Sequence, residues 1–135
     1  MKHIAIITPC YNEADNILPL YEALCKATQA LPYRFSYVFV DDGSTDSTLA
    51  EVESLAQSHA NVKYISFTRN FGQDNALLAG IRSVNSDAII ILDCDLQHPV
   101  SLLPQMIIQW EEGYAVVSTK REKSPHAHWL KNFSS

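Results

Sequence analysis

Short apolar runs alternate along this chain with stretches in which apolar residues recur every three or four positions. Runs of four to eight fit buried strands, and the longer spacing fits helices with one buried face. Ile4 to Thr8 is the first predicted strand. After the polar turn Tyr11 to Asp15, the residues Ile17, Leu20, Tyr21, Leu24, Cys25 and Leu31 fall on one helical face. Pro19 is tolerable there only near the helix start, where a missing N–H costs least. Tyr37 to Val40 predicts a second strand that stops on carboxylates, and Asp41, Asp42, Gly43, Ser44 and Thr45 offer both a turn and a helix cap. The next helix carries Leu49, Val52, Leu55 and Ala56. Val62 to Phe67 is a third strand, and Ala76, Leu77, Gly80, Ile81 and Val84 form the stripe of a third helix. Ala88 to Leu92, the most apolar run, ends in Asp93-Cys94-Asp95. Pro99 opens a helix with Leu102, Leu103, Met106, Ile107 and Trp110 inward, and Ala115 to Ser118 is a fifth strand.

Such alternation is the pattern of βαβ units, so the expected class is α/β, Rossmann-like, with a mostly parallel sheet flanked by helices. No internal repeat or low-complexity linker divides the chain, and residues 1–135 are expected to form a single domain. Ligands of open α/β sheets gather at the carboxyl ends of the strands. Polar motifs follow strands one to four, which puts the expected site on that edge.

Composition narrows the function. Hydrophobic residues at 47% and charged residues at 19% are those of a folding domain, and a net charge of −5 argues against a nucleic-acid surface. Four of the ten basic residues, Lys120, Arg121, Lys123 and Lys131, lie in the last sixteen positions. They form either a solvated tail or a surface for phosphate or anionic lipid. Cys10, Cys25 and Cys94 have no C-x-x-C spacing, so neither a disulfide framework nor a zinc site is suggested, and a reducing cytoplasm is expected. The N-terminus reads as a strand, not as a signal peptide. No apolar stretch approaches the roughly 18 to 20 residues that span a bilayer.

Asp93 and Asp95 carry the sharpest chemical signal. Residues i and i+2 of an extended backbone point the same way, and Gln97 extends the row by one step. Three such oxygens suit Mg²⁺ or Mn²⁺, which bind through one or two carboxylates together with substrate phosphates. The competing reading is a strand ending in a polar turn. The first loop, Thr8-Pro9-Cys10-Tyr11-Asn12-Glu13, lacks the glycines of dinucleotide and P-loop sites. A diphosphate in this cleft would meet carboxylates, and a cation between them removes the repulsion. Asp41 and Asp42 suit a base N–H or ribose hydroxyls, with the Tyr11 ring on the base; turn and cap chemistry is the alternative. His98, His126 and His128 read as surface residues.

Taken together, T-P-C-Y-N-E (Thr8 to Glu13), V-D-D-G-S-T-D-S-T (Val40 to Thr48), R-N-F-G-Q (Arg69 to Gln73) and D-C-D-L-Q-H-P (Asp93 to Pro99) resemble the successive motifs of the inverting family 2 glycosyltransferases with the GT-A fold. The likeness runs from residue 4 to about residue 121. R-N-F-G and D-x-D-L-Q are most like the branch of dolichol-phosphate mannose synthase and bacterial polyprenyl-phosphate glycosyltransferases. The resemblance implies that Thr8, Pro9, Tyr11, Glu13, Asp41, Asp42 and Asp93 line a nucleotide pocket and that Asp93, Asp95 and Gln97 hold Mg²⁺ or Mn²⁺. It places Arg121 towards the phosphates and gives Arg69 a structural role before a phosphate-binding one. Val100 stands where the family often has a second proline.

The expected donor is a nucleotide sugar of the UDP-glucose or GDP-mannose type, and the expected acceptor a polyprenyl phosphate. Transfer to a sugar hydroxyl, or donor binding without catalysis, are the alternatives. A phosphatase using Asp93 as nucleophile is disfavoured by Gln97, where that class usually carries Thr or Val. Similar enzymes continue beyond the equivalent of Ser135 through an acceptor-binding half with the candidate catalytic carboxylate. The chain therefore reads as the N-terminal, nucleotide-sugar-binding part of a glycosyltransferase acting at the cytoplasmic face of a membrane. Apolar surface left uncovered by such truncation leads us to expect a homo-oligomer.

Overall fold

A computed structural model describes residues 1–95, 100–119 and 127–131, the last segment and residues 114–119 as backbone. In chain order the elements are β1 (His3–Cys10), α1 (Ala14–Thr28), β2 (Arg34–Asp41), α2 (Thr48–Ser58), β3 (Val62–Ser66), α3 (Gln73–Arg82), β4 (Ala88–Ile91), a 3₁₀ turn (Val100–Leu102), α4 (Leu103–Glu111), β5 (Tyr114–Thr119) and β6 (Ala127–Lys131). The sheet runs β3-β2-β1-β4-β5-β6. Its first five strands are parallel, and β6 pairs antiparallel with β5. β1 is central: Ile4 to Ile7 pair with Ala88 to Ile91 on one side, and His3 to Cys10 pair with Arg34 to Asp41 on the other. The chain builds outward from β1 to β3, then crosses back to add β4. Between β1 and β4 the strand order therefore reverses, which opens a crevice at their carboxyl ends.

Both faces of the sheet are covered, which is why β1 reads as a nearly continuous apolar run. On one face α1, α2 and α4 pack Ile17, Leu20, Leu24, Val52, Leu55, Leu103 and Met106 against Ile4, Ile6, Phe35, Tyr37, Phe39, Ala88 and Ile90. On the other, α3 sets Ala76 against Ile7, Val38 and Val40. Gly80 permits that approach, because a Cβ there would lie 2.6 Å from the Ile7 Cγ2 and 3.2 Å from the Val40 Cγ2.

Leu31 and Val84, expected on the faces of the first and third helices, lie beyond the ends of α1 and α3 because the chain there has already turned towards the next strand. Three further details differ from the sequence expectation. Pro19 is the sixth residue of α1, within the helix and not at its start. It is exposed, so the Asp15 carbonyl that loses its partner faces water, which lowers the penalty. The cap of α2 comes from Asp46, whose carboxylate accepts from the Thr48 N–H, because residues 41–45 have other partners. β6 was not expected at all. It is a short antiparallel edge strand over A-H-W-L-K, without the apolar run that marks the buried parallel strands.

Candidate active site

The motifs of the sequence meet at the carboxyl edge of β1, β2 and β4, and hydrogen bonds between loops join them in a chain. Asn12 opens it. Its backbone is left-handed, at φ 53°, a conformation asparagine tolerates better than most residues. That turn aims the side chain at the loop after β2, where Asn12 Oδ1 accepts from the Thr45 N–H at 2.8 Å and the Asp46 N–H at 3.3 Å. The reverse contacts run from the Asn12 N–H to Ser44 Oγ at 2.9 Å and from the Glu13 N–H to Thr48 Oγ1 at 2.9 Å. The first N–H groups around α1 are thus satisfied by the β2 loop, which is how a helix start without its own side-chain cap is stabilised.

Asp41 and Asp42 are both buried, at 2% and 4% exposure, and have different partners. Asp41 ends β2, and its Oδ1 accepts from the Ser44 N–H at 3.3 Å. Asp42 turns to the segment before α3: Oδ1 accepts from the Phe71 N–H at 2.8 Å, and Oδ2 from the Gly72 N–H at 3.2 Å and Asn70 Nδ2 at 3.1 Å. Gly43 follows at φ +70°, so close to that segment that a Cβ would lie 2.1 Å from the Arg69 carbonyl carbon. Arg69 itself lies 4.5 Å over the Phe71 ring, which meets Phe67 edge to face. This agrees with a role in supporting the loop.

Beyond β4 the burial alternates. Leu92 and Cys94 turn into the core, and Asp93 and Asp95 are half-buried. The two carboxylates therefore share the side away from the core, as i, i+2 geometry requires. Gln73, the first residue of α3, donates from Nε2 to Asp93 Oδ1 at 3.3 Å. Cys10 and Cys94 close the core beneath this edge as free thiols. Contact with Cys94, followed by burial, pushes the Cys10 thiol well up, so it packs as a neutral group and not as a nucleophile.

Of the residues expected in the nucleotide pocket, Thr8, Pro9, Tyr11, Glu13, Asp41, Asp42 and Asp93 all lie along this edge. Thr8 is buried, Pro9 and Glu13 are half-buried, and Tyr11 is 45% exposed. Gln97 and Arg121 lie outside the described residues, as do His98 and His126. The donor set fits a hard divalent cation: two half-exposed carboxylates leave coordination positions for water and phosphate, as Mg²⁺ and Mn²⁺ sites do. Among the described residues no cluster of three or more His, Cys, Asp or Glu forms a self-sufficient metal cage. An open pocket of about 360 Å³ is lined by Asn12–Asn16 together with Asp46 and Ser47. Its lining includes the carboxylates of Glu13, Asp15 and Asp46.

The residues that sequence reasoning passed over are Asn12, Asn70 and Gln73. Each was quoted inside a motif without a role. For Asn12 the available signal was an asparagine in a turn, a residue that tolerates left-handed backbone; Asn70 and Gln73 carry no local signal.

A parallel sheet whose order reverses between β1 and β4, with an acidic pair beyond β4, has the GT-A arrangement of glycosyltransferases. The sequence profile described as glycosyl transferase family 2 matches residues 5–133, and the chain belongs to that family. Bactoprenol glucosyl transferase of Shigella phage SfV is 38% identical over 118 residues, covering 87% of this chain and 38% of the relative. Undecaprenyl-phosphate 4-deoxy-4-formamido-L-arabinose transferase of Proteus mirabilis (strain HI4320) is 34% identical over 136 residues, covering 100% and 41%. Among solved structures, the mannosyltransferase PcManGT from Pyrobaculum calidifontis, in complex with GDP-Man and Mn²⁺, superposes with a TM-score of 0.67 at 25% identity, covering 79% of this chain and 31% of that one. The chain spans 36% to 42% of the length of such curated relatives. Among the described residues no helix is long and apolar enough to cross a membrane.

Proposed function

We propose that this chain is the nucleotide-sugar-binding part of a metal-dependent, inverting glycosyltransferase whose acceptor is a polyprenyl phosphate. The observation that carries the reading is the pair Asp93 and Asp95, side by side and half-exposed beyond β4, at the point where the strand order reverses. At that place the two carboxylates would hold a divalent ion, which when bound would supply positive charge to stabilise the departing nucleoside diphosphate. Asp93 and Asp95 would hold the ion, and the family resemblance adds Gln97 as a further oxygen donor. Thr8, Pro9, Tyr11, Glu13, Asp41 and Asp42 line the nucleotide side, the exposed Tyr11 ring offering a face to the base and the two aspartates accepting from a base N–H or a ribose hydroxyl. The family resemblance assigns Arg121 to the phosphates.

The acceptor reading draws on the two relatives named for bactoprenol and undecaprenyl phosphate. It is chemically self-consistent, because a phosphate monoester with a second pKa of about 6 is already anionic near neutral pH. Such an acceptor attacks the anomeric carbon without a strong general base. Transfer to lipid phosphate takes place at the cytoplasmic face of a membrane.

Calorimetry with UDP-glucose and with GDP-mannose, each with and without Mn²⁺, tests the proposal on the wild-type chain and on Asp93→Ala. One donor binds in the presence of Mn²⁺ and loses at least about tenfold in affinity in EDTA or on substitution, the scale on which metal sites respond to altered ligands. Equal affinity in EDTA defeats the metal reading. The 135 residues alone are expected to bind donor weakly and to transfer little sugar. Robust turnover would show that the chain needs no further acceptor-binding part.

A further inference from the structure

Cys10 and Cys94 are far apart in the sequence and side by side in the fold. Strand β1 pairs with β4 in parallel register as far as Ile7 and Ile91, and beyond that pair the Leu92 N–H donates to the Ile7 carbonyl at 3.0 Å. Three residues past Ile7 and three past Ile91 stand Cys10 and Cys94. Both belong to the core that buries Ile4, Ile6, Ala88, Ile90 and Leu92, at 2% and 3% exposure, with their side chains in contact. Both are free thiols. We infer that Cys10 and Cys94 form a reversible dithiol–disulfide couple, and that closing the bond displaces the segment bearing Asp93 and Asp95 and weakens its hold on a divalent ion. The second clause rests on the proposed role of those two carboxylates.

The geometry decides where the movement falls. Cys10 is the last residue of β1; it pairs in register with Asp41, and its carbonyl accepts from the Asp42 N–H at 2.8 Å. Cys94 lies past the end of β4, between the two acidic residues. A covalent bond brings two sulfurs closer than contact does. With Cys10 tied to β2 on its far side, the displacement is carried by residues 93–95. The oxidant that suits so enclosed a pair is a small peroxide. One thiol attacks its O–O bond, giving a sulfenic acid and water; the other thiol displaces a second water from that sulfur, and the S–S bond forms. The thiols lose two electrons and two protons, and the peroxide takes up both. Contact with Cys94, followed by burial, keeps the Cys10 thiol neutral while the edge is closed. Oxidation therefore proceeds from local opening of the surrounding loops. In a reducing compartment the pair returns to thiols, as a sensor requires and a structural disulfide does not. The third thiol, Cys25, lies in α1 against Tyr21 and provides an internal control.

The test uses the 135-residue chain, reduced or treated with hydrogen peroxide. Peptide mapping by mass spectrometry is expected to join Cys10 to Cys94 in the oxidised chain, with free thiols falling from three to one. Mn²⁺ affinity, followed by the paramagnetic signal of the free ion, is expected to fall about tenfold on oxidation, the scale on which metal sites respond to disturbed ligand surroundings. Dithiothreitol restores both. Cys10→Ala forms no link, and its Mn²⁺ affinity resists peroxide, whereas Cys25→Ala responds as wild type does. If Cys10→Ala does not fold, Cys10→Ser takes its place. Absence of the Cys10–Cys94 peptide overturns the inference, as does a linked chain whose Mn²⁺ affinity equals that of the reduced one, or a peroxide effect that persists without Cys10. A reduced wild-type chain that binds no Mn²⁺ defeats the metal reading, and the peptide map then upholds or overturns the couple by itself.

Discussion

The edge of the sheet at β1 and β2 and the edge at β4 both carry carboxylates approached by side-chain amides, and use them in different ways. At β1 and β2 the carboxylates are buried, and their hydrogen bonds are made to neighbouring loops: Asp42 holds the segment before α3, and Asn12 grips the loop after β2. At β4 the carboxylates of Asp93 and Asp95 are half-exposed, and the amide of Gln73 approaches the first of them. A buried carboxylate with backbone partners is part of the scaffold, because releasing it would strand several polar groups away from water. One that keeps contact with solvent can exchange water for a cation at modest cost. Acidic residues along one edge thus differ in burial and in partners: Asp41 and Asp42 lie buried among loop donors, and Asp93 and Asp95 keep contact with solvent.

Substitutions that separate the two edges sharpen this contrast. The largest effect is expected from Gly43→Ala, which combines a left-handed backbone at φ +70° with a contact of 2.1 Å to the Arg69 carbonyl carbon. Backbone cannot swing aside as a side-chain tip can, so a loss of about 4 kcal/mol in urea denaturation is expected, or failure to fold. Next comes Asn12→Ala, which removes an acceptor shared by two N–H groups and puts alanine at φ 53°. It should cost about 2 kcal/mol, and Asn12→Gly about 1 kcal/mol less, since glycine adopts that backbone freely. Equal costs for alanine and glycine would remove backbone strain from the account.

At the other edge, Asp93→Ala should change unfolding free energy by no more than about 0.5 kcal/mol while abolishing Mn²⁺-dependent donor binding. A loss of about 2 kcal/mol or more on the same substitution would make β4 as structural as β2 and end the distinction. The smallest effect concerns Asp46, whose pKa is held below 3.8, chiefly by the Thr48 hydroxyl. A carboxylate with a depressed folded pKa adds stability that is present above its unfolded value and lost as pH falls through the folded one. In thermal melts, the advantage of wild type over Asp46→Ala should therefore shrink below about pH 4, by a small amount because the group is exposed to solvent. An advantage that grows with acidity would contradict the hydrogen-bond assignment.

Much of the fold was legible in advance. Strands β1 to β5 and helices α1 to α4 each overlap a predicted element, although Leu31 and Val84 fall beyond the ends of α1 and α3 and α4 begins only at Leu103, because burial on both faces imprints each strand as an apolar run and each helix as a stripe. What escaped was set by contacts between distant segments. Pro19 lies within α1 because its position is solvent-facing, and β6 forms by pairing to β5, neither of which leaves a local pattern. In the site, the acidic pair beyond β4 was legible from its i, i+2 spacing. The roles of Asn12 and Gln73 were not, since their partners lie 33 and 20 residues away.

The sequence by itself determined the class of the sheet, the order of its elements and the fact that its polar motifs follow strand ends, because hydrophobic periodicity records burial residue by residue. Tertiary structure alone decided which of two adjacent aspartates stays with the loops, and which half-buried pair is left facing the crevice. Asp41 and Asp42 are alike in local sequence and in burial. They differ in what packs beside them, and for Asp42 that is a segment 28 to 30 residues further along the chain.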